Sequence, residues 1–219
     1  MTDGLAKCFW NTPEVRFSFS NSSRRSGGLI TLWNSNNVEF LCSFKGDGYL
    51  VTKVEWKNNN YYIVNIYSSC LLSKKKELWK DLLELKEIFK DGEWIMGGVF
   101  NAIKNSRERK GRMAVANLNE TDIFSEFIDK FFLVDVSCKG KKFSWFSGDG
   151  KSMSRLDHFL VSSSIVSNWG VVGQLIGDKD ISDHCPVWLM MDNLDWGPTP
   201  FRVNNEWFSL DSFLPFMEK

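Results

Sequence analysis

The sequence predicts an α+β domain in which two packed sheets are flanked by a few helices. Three observations predict it. Short strand-like runs recur along most of the 219 residues, only two segments carry helical periodicity, and 43% apolar with 15% aromatic residues is ample for a large core. In the first third, strand-like runs fall at residues 29–33, 38–44, 49–56 and 61–67, with Gly46-Asp47-Gly48 as a turn between two of them. They read as an antiparallel meander. Over residues 73–90, Leu78, Trp79, Leu82, Leu83, Leu85, Ile88 and Phe89 recur at steps of three and four among lysines and glutamates, the pattern of one amphipathic helix. The run at 94–96, just before Gly97-Gly98, is a buried strand ending in a tight turn. A second helix covers residues 120–130, where Ile123, Phe124, Phe127, Ile128 and Phe131 share a face and Asn119 can cap the start. Short strands follow at 133–136, 143–146, 155–161, 171–176 and 187–191. No internal boundary divides residues 1–194. Residues 195–219, broken by Pro198, Pro200 and Pro215, read as a linker.

Composition excludes several function classes. With 27 Lys+Arg against 27 Asp+Glu the chain has no net charge, which argues against a nucleic-acid binder held by bulk electrostatics but permits local basic patches. Cysteines at 8, 42, 70, 138 and 185 are odd in number, irregularly spaced and without a C-x-x-C, so neither a disulfide framework nor a zinc site is indicated. A reducing compartment is the expectation. The start, MTDGLAKCFW, has no apolar leader core, and no window approaches the roughly 18 to 20 apolar residues of a spanning helix.

Chemistry concentrates in three strings at the ends of apolar strands. In Ser182-Asp183-His184-Cys185-Pro186, an Asp and a His stand side by side ahead of a strand, and both side chains can reach one pocket. A capping Asp in a satisfied loop is the plainer alternative. In Ser154-Arg155-Leu156-Asp157-His158-Phe159-Leu160, alternation puts Leu156, His158 and Leu160 on one face and Arg155, Asp157 and Phe159 on the other. Asp157 then needs a partner: a histidine, a metal ion, or, more simply, Arg155 at the surface. The third string ends a strand with Gly97-Gly98 before Val99, Phe100 and Asn101, and its two glycines serve either a close ligand approach or a simple turn.

Taken in order, these strings resemble the endonuclease/exonuclease/phosphatase superfamily, and most of all the endonuclease domain of plant non-LTR (LINE-type) retrotransposons. The matching text is Arg25-Ser26-Gly27-Gly28-Leu29, Val64-Asn65-Ile66-Tyr67, Gly97-Gly98-Val99-Phe100-Asn101-Ala102-Ile103, Glu108-Arg109-Lys110-Gly111, Phe143-Ser144-Trp145, Ser154-Arg155-Leu156-Asp157, Ser182-Asp183-His184-Cys185-Pro186 and Trp196-Gly197-Pro198-Thr199-Pro200-Phe201-Arg202, covering about residues 10–208. The resemblance implies a four-layer sandwich, two mostly antiparallel sheets between helices, and metal-dependent hydrolysis of phosphodiesters with Mg²⁺ or Mn²⁺. It implies that His184 contacts the scissile phosphate and that Asp157 holds its tautomer. Asn101 would donate to a phosphate oxygen or orient water, Tyr67 would lie beside a phosphoryl oxygen, and Asp183 would bind metal or orient the site. DNA is the implied partner, gripped by Arg107, Arg109, Lys110 and Arg112 and by the basic run Lys139-Gly140-Lys141-Lys142. A monomer acting in the nucleus is expected, with residues 195–219 leading toward a reverse transcriptase.

Two departures bear on activity. The family's Gly-Gly-Asp-Phe-Asn here carries Val99 in place of the aspartate, and an isopropyl group neither accepts a proton nor coordinates magnesium. The family's early metal-binding glutamate has no counterpart, since Glu14 and Glu39 stand in other contexts. The expectation is therefore an endonuclease domain lacking its first strands and impaired in catalysis. The alternatives are a nucleic-acid-binding relic that does not cleave and a phosphatase of the same superfamily.

Overall fold

In a computed structural model, residues 12–22, 28–111 and 118–192 are described. The 14 strands, in chain order, are β1 (Val15–Ser20), β2 (Leu29–Asn34), β3 (Glu39–Gly46), β4 (Tyr49–Trp56), β5 (Asn59–Tyr67), β6 (Glu93–Val99), β7 (Arg109–Gly111), β8 (Leu133–Asp135), β9 (Cys138–Gly140), β10 (Trp145–Phe146), β11 (Ser152–Ser154), β12 (Asp157–Ser162), β13 (Val171–Ile176) and β14 (Val187–Met191). The helices are α1 (Leu72–Ile88), α2 (Leu118–Phe131) and the short α3 (Ser163–Asn168).

A central six-stranded sheet runs in the order β3-β4-β5-β6-β12-β8. β3, β4 and β5 form the expected antiparallel meander, closed at one turn by Gly48 at φ +84° and at the other by Lys57 and Asn58, both at positive φ. α1 then carries the chain across one face so that β6 lies parallel to β5, as a strand-helix-strand crossover requires. The run at 29–33 corrects the four-strand meander: β2 is not part of this sheet but pairs with β1, whose alternation of Val15, Phe17 and Phe19 with polar residues carried the missed signal. Asn119 lies inside α2 rather than capping it.

The two faces of the central sheet bury different cores. On one, Tyr62, Val64, Trp94, Met96 and Leu160 pack under α1 and α2, with Trp79 stacked on Phe127 at 4.5 Å and Tyr62 on Trp94 at 4.5 Å. On the other, Tyr61, Ile95, Val161 and Ile165 are fully buried, while Ile63, Phe159, Trp169 and Leu189 around them are only half-buried. That second face is covered not by one continuous sheet but by three small ones, β1-β2, β14-β13-β9 and β10-β11-β7. No helix among the described residues is long and apolar enough to cross a membrane.

A buried ionic cluster fastens these layers. Arg155 donates to both oxygens of Asp135 (2.6 and 3.1 Å) and to Glu108 (2.8 Å), and all three side chains are nearly inaccessible. This overturns the surface pairing of Arg155 with Asp157. Gln174 from β13 accepts from the Phe159 N–H and donates to the Val136 carbonyl, joining the central sheet to the second layer. Burial alone would push the Asp135 carboxyl up, but His158 and Arg155 outweigh it and hold its pKa at about 2.

Because that carboxyl sits below its unfolded value of about 3.9, its contribution is complete above pH ~4 and disappears as the pH falls toward 2. Replacing Asp135→Asn leaves the buried guanidinium with Glu108 as its one carboxylate and should cost up to about 3 kcal/mol at pH 7, a loss that urea unfolding reads directly. The gap between wild type and variant should narrow at pH 3; a gap independent of pH, or no gap at all, would contradict this role.

Candidate active site

Strand register builds the site. Tyr67 on β5 pairs with Val99 on β6, and Val99 pairs with Asp157 on β12, so three adjacent strands end in one transverse row. Laterally paired residues project to the same face, which sets these three side chains together on the face away from α1 and α2. The paired glycines upstream make this close register possible. Gly98 takes φ +128°, and a Cβ there would lie 2.2 Å from the Ile66 carbonyl oxygen, while a Cβ on Gly97 would press 2.7 Å from the Phe159 ring. They serve the close approach of chain to chain.

His184 reaches the row from the segment ahead of β14. Its Nδ1 lies 2.8 Å from Asp157 Oδ2, the same oxygen that accepts the Ser144 hydroxyl at 2.6 Å. The Ser144 oxygen in turn accepts the backbone N–H groups of Leu156 and Asp157, both at 3.0 Å. With Asp157 ionised, Nδ1 carries the proton to it, and Nε2 is left facing outward on a ring a quarter exposed. Backbone contacts of Trp145 with His184 and of the Cys185 N–H with the Ser144 carbonyl (2.7 Å) hold the segment in place. Burial lowers the His184 pKa, yet the hydrogen bond and charge of Asp157, aided by Asp183, win and raise it above its ordinary value. Asp157 thus finds its partner in a histidine 27 residues away, while the adjacent His158 is sealed in the core with Nε2 3.2 Å from the Ala102 carbonyl.

Asn101 stands just past the row at φ 51°, a left-handed conformation that Asn tolerates. Its side-chain amide donates to the Ser68 carbonyl at 2.7 Å, leaving one N–H free, and its own carbonyl accepts from Lys75. Lys75 is buried beneath it against Glu120. Asp183 turns to the other side, where the Trp145 indole donates to it at 2.9 Å; that bond lowers its pKa against a small burial effect. Ser144, Trp145 and Lys75 were not assigned roles from the sequence. A serine inside the apolar run 143–146 was the available signal for the first.

Carboxylates that could hold a divalent ion do not converge here. Among the described residues, no three His, Cys, Asp or Glu side chains form a group suited to a metal. Val99 sits mid-row without a lone pair, the Glu14 carbonyl accepts from Ser35 beside the far end of β2, and Glu39 is on the edge strand β3. The donor set present does not fit a magnesium site.

A basic flank lies beside the row. From His184 the ladder passes to Trp145, then to Ser154 on β11, then to Arg109 on β7, with Met153 opposite Lys110. Three steps at about 4.8 Å place the Arg109 backbone roughly 14 Å from that of His184. Arg107 and Lys110 are exposed, whereas Arg109 is half-buried with Nε donating to Ser154. Lys141 is paired with Asp178. Arg112 lies outside the described residues.

No protein family and no curated protein matches the chain by sequence. Solved structures do match by shape. The endonuclease domain of TRAS1, a telomere-specific non-LTR retrotransposon, superposes with TM-score 0.61 at 13% identity, covering 81% of this chain and 78% of that one. An endonuclease/exonuclease/phosphatase family protein from Bacteroides thetaiotaomicron gives 0.54 at 15% identity, over 80% and 74%. A beta toxin variant from Staphylococcus aureus with bound magnesium ions gives 0.50 at 16% identity, over 77% and 70%. The chain is similar to all three in fold.

The raised His184 pKa carries a sign. Stabilisation from the Asp157–His184 pair is complete below pH ~6.5 and is lost as pH rises through the elevated midpoint. An NMR titration of the two histidines should find the His184 midpoint above its ordinary value, and lower in Asp157→Asn, because burial is then opposed only by the weaker influence of Asp183. A midpoint that ignores Asp157→Asn would sink the assignment.

Proposed function

With the fold of the endonuclease/exonuclease/phosphatase superfamily as premise, we propose that this chain is a retrotransposon-type endonuclease domain. It lays a DNA phosphodiester against the row Tyr67–Val99–Asp157 with His184, and its hydrolytic step is impaired. The observation that carries the reading is the row itself: Tyr67 and Asp157, with His184 beside them, on either side of a valine. His184 presents Nε2 to a phosphate oxygen, and the upward shift of its pKa favours the cationic, doubly donating form of the ring. The free N–H of Asn101 is a second donor, and the exposed Tyr67 hydroxyl a third. These groups suit binding.

Hydrolysis asks for more. Attack on phosphorus needs a base for the water and positive charge on the phosphoryl oxygens, and in related folds a divalent ion supplies charge and orientation together. Val99 supplies no base, a loss worth about 10² to 10⁴ in rate, and the carboxylates present do not form a site for the ion. Binding without cleavage is the second reading, favoured by the strand order that sets Arg109 and Lys110 beside His184. Their phosphate contacts would fix register on the duplex without reading its sequence.

Supercoiled plasmid incubated with the chain and Mg²⁺ should show no nicking above background, and Val99→Asp should not restore it, since a single carboxylate does not complete a metal site. EDTA-sensitive nicking by the unmodified chain would overturn the impairment. Duplex binding should weaken linearly in log–log against salt, and the double variant Arg107→Ala, Lys110→Ala should flatten the slope by about 2. An unchanged slope would remove this flank from the DNA interface.

A further inference from the structure

Three consecutive lysines stand near the start of α1, and the middle one turns inward. Lys74 and Lys76 are exposed, while Lys75 is 2% exposed and begins the buried stripe Lys75, Leu78, Trp79 and Leu82 on the helix. Such a position calls for an apolar side chain. An ammonium is tolerated there when its donors are met, and Lys75 Nζ meets two acceptors, a Glu120 carboxylate oxygen on α2 and the backbone carbonyl of Asn101. Pairing with a glutamate does not call for burial. Lys74–Glu77 and Lys80–Glu84 on the same helix form at the surface, and the Glu120 side chain itself keeps 20% of its surface exposed. The acceptor that the buried position adds is the Asn101 carbonyl.

The segment leaving the row is fastened from several elements at once. The Val99 carbonyl accepts the Ser68 N–H, and the Phe100 N–H donates to the Leu156 carbonyl, both at 2.8 Å. His158 Nε2 lies 3.2 Å from the Ala102 carbonyl, and the Lys104 N–H donates to the Glu108 carboxylate at 2.7 Å. Asn101 lies between these ties, past the end of β6 and at φ 51°, and the donor to its carbonyl is the Lys75 ammonium in place of a ladder N–H. Its side-chain amide is held by the Ser68 carbonyl at 2.7 Å. Main chain and side chain of Asn101 are thus gripped from opposite ends, and the remaining amide N–H is preorganised before any ligand arrives.

We propose that Lys75 is a positioning residue. Its ammonium, neutralised by Glu120, holds Asn101 in its left-handed turn so that the amide donor stands ready beside the row, while the phosphate contact of that donor rests on the endonuclease reading above. Lys75 touches no ligand in this role. It joins α1, α2 and the segment after β6 through one nitrogen, so the docking of the two helices fixes a residue of the site.

NMR of the full chain reads the Asn101 carboxamide, assigned by the pair of cross-peaks lost in Asn101→Ala. In the free chain, both Lys75→Met and the double variant Lys75→Met, Glu120→Gln should move that pair, while the Asn65 carboxamide, bonded to the Ile30 carbonyl, stays in place. Lys75→Met leaves Glu120 without its cation and should lower the urea midpoint, part of which the double variant regains. Affinity for a short DNA duplex should fall about 10-fold in both variants, the worth of one hydrogen bond to a charged group. A lysine serving stability alone would give affinity that returns together with the urea midpoint. That result, or an Asn101 pair unmoved in both variants, would overturn the inference. A duplex that fails to shift the Asn101 pair of the unmodified chain would overturn the phosphate contact instead, and the free-chain spectra keep the two failures apart.

Discussion

The pairing of β6 with β5 on one side and β12 on the other is the constraint on which the rest of the site depends. β6 is parallel to the first neighbour and antiparallel to the second, and both registers pass through Val99. Slipping either by one residue would turn Tyr67 or Asp157 into the helix-covered core. Gly97 and Gly98 secure this register because any side chain at either position would collide with the Ile66 backbone or the Phe159 ring. What looks like a ligand-binding dipeptide in the sequence is thus a packing device, and the site inherits its geometry from it.

Asp157 shows how a carboxylate can stay close to a core without a cation bonded to it from its own strand. Its oxygen takes a serine hydroxyl and an imidazole, and the serine is itself fixed by two backbone N–H groups. Every donor is therefore committed, which leaves Nε2 of His184 as the group turned outward. Two residues earlier, Arg155 meets a different pair of carboxylates, Glu108 and Asp135. One short string thus feeds two separate polar centres, one that ties layers together and one that turns a histidine nitrogen outward. Within that ordered framework Val99 is the one apolar member of the row between Tyr67 and Asp157.

The asymmetry of the two faces has the same origin in pairing. α1 and α2 each turn an aromatic stripe onto the sheet, and the rings of Trp79, Phe100, Phe124 and Phe127 close that core completely. The opposite face is roofed by strands, which seal a core only when their edges are joined. Among the described residues β2 and β14 are not joined, and Ile63 and Phe159 beneath them are half-buried.

The sequence by itself determined the elements and their kind. Periods of two and of three to four residues located the meander strands and both long helices to within a few residues, because those periods are imposed by which face is buried. It also marked Val99, Asn101, Asp157 and His184, since each belongs to a short string at a strand end, while the family resemblance added Tyr67 and flagged Val99 as the substituted position. Only the tertiary structure decided partners. That Arg155 meets Asp135 and Glu108 instead of Asp157, that β2 leaves the meander for β1, and that Ser144, Trp145 and Lys75 brace the site are all contacts between residues distant in the chain. Local pattern records which side of an element is buried; it holds no record of what lies against that side, because that is settled when the layers close on one another.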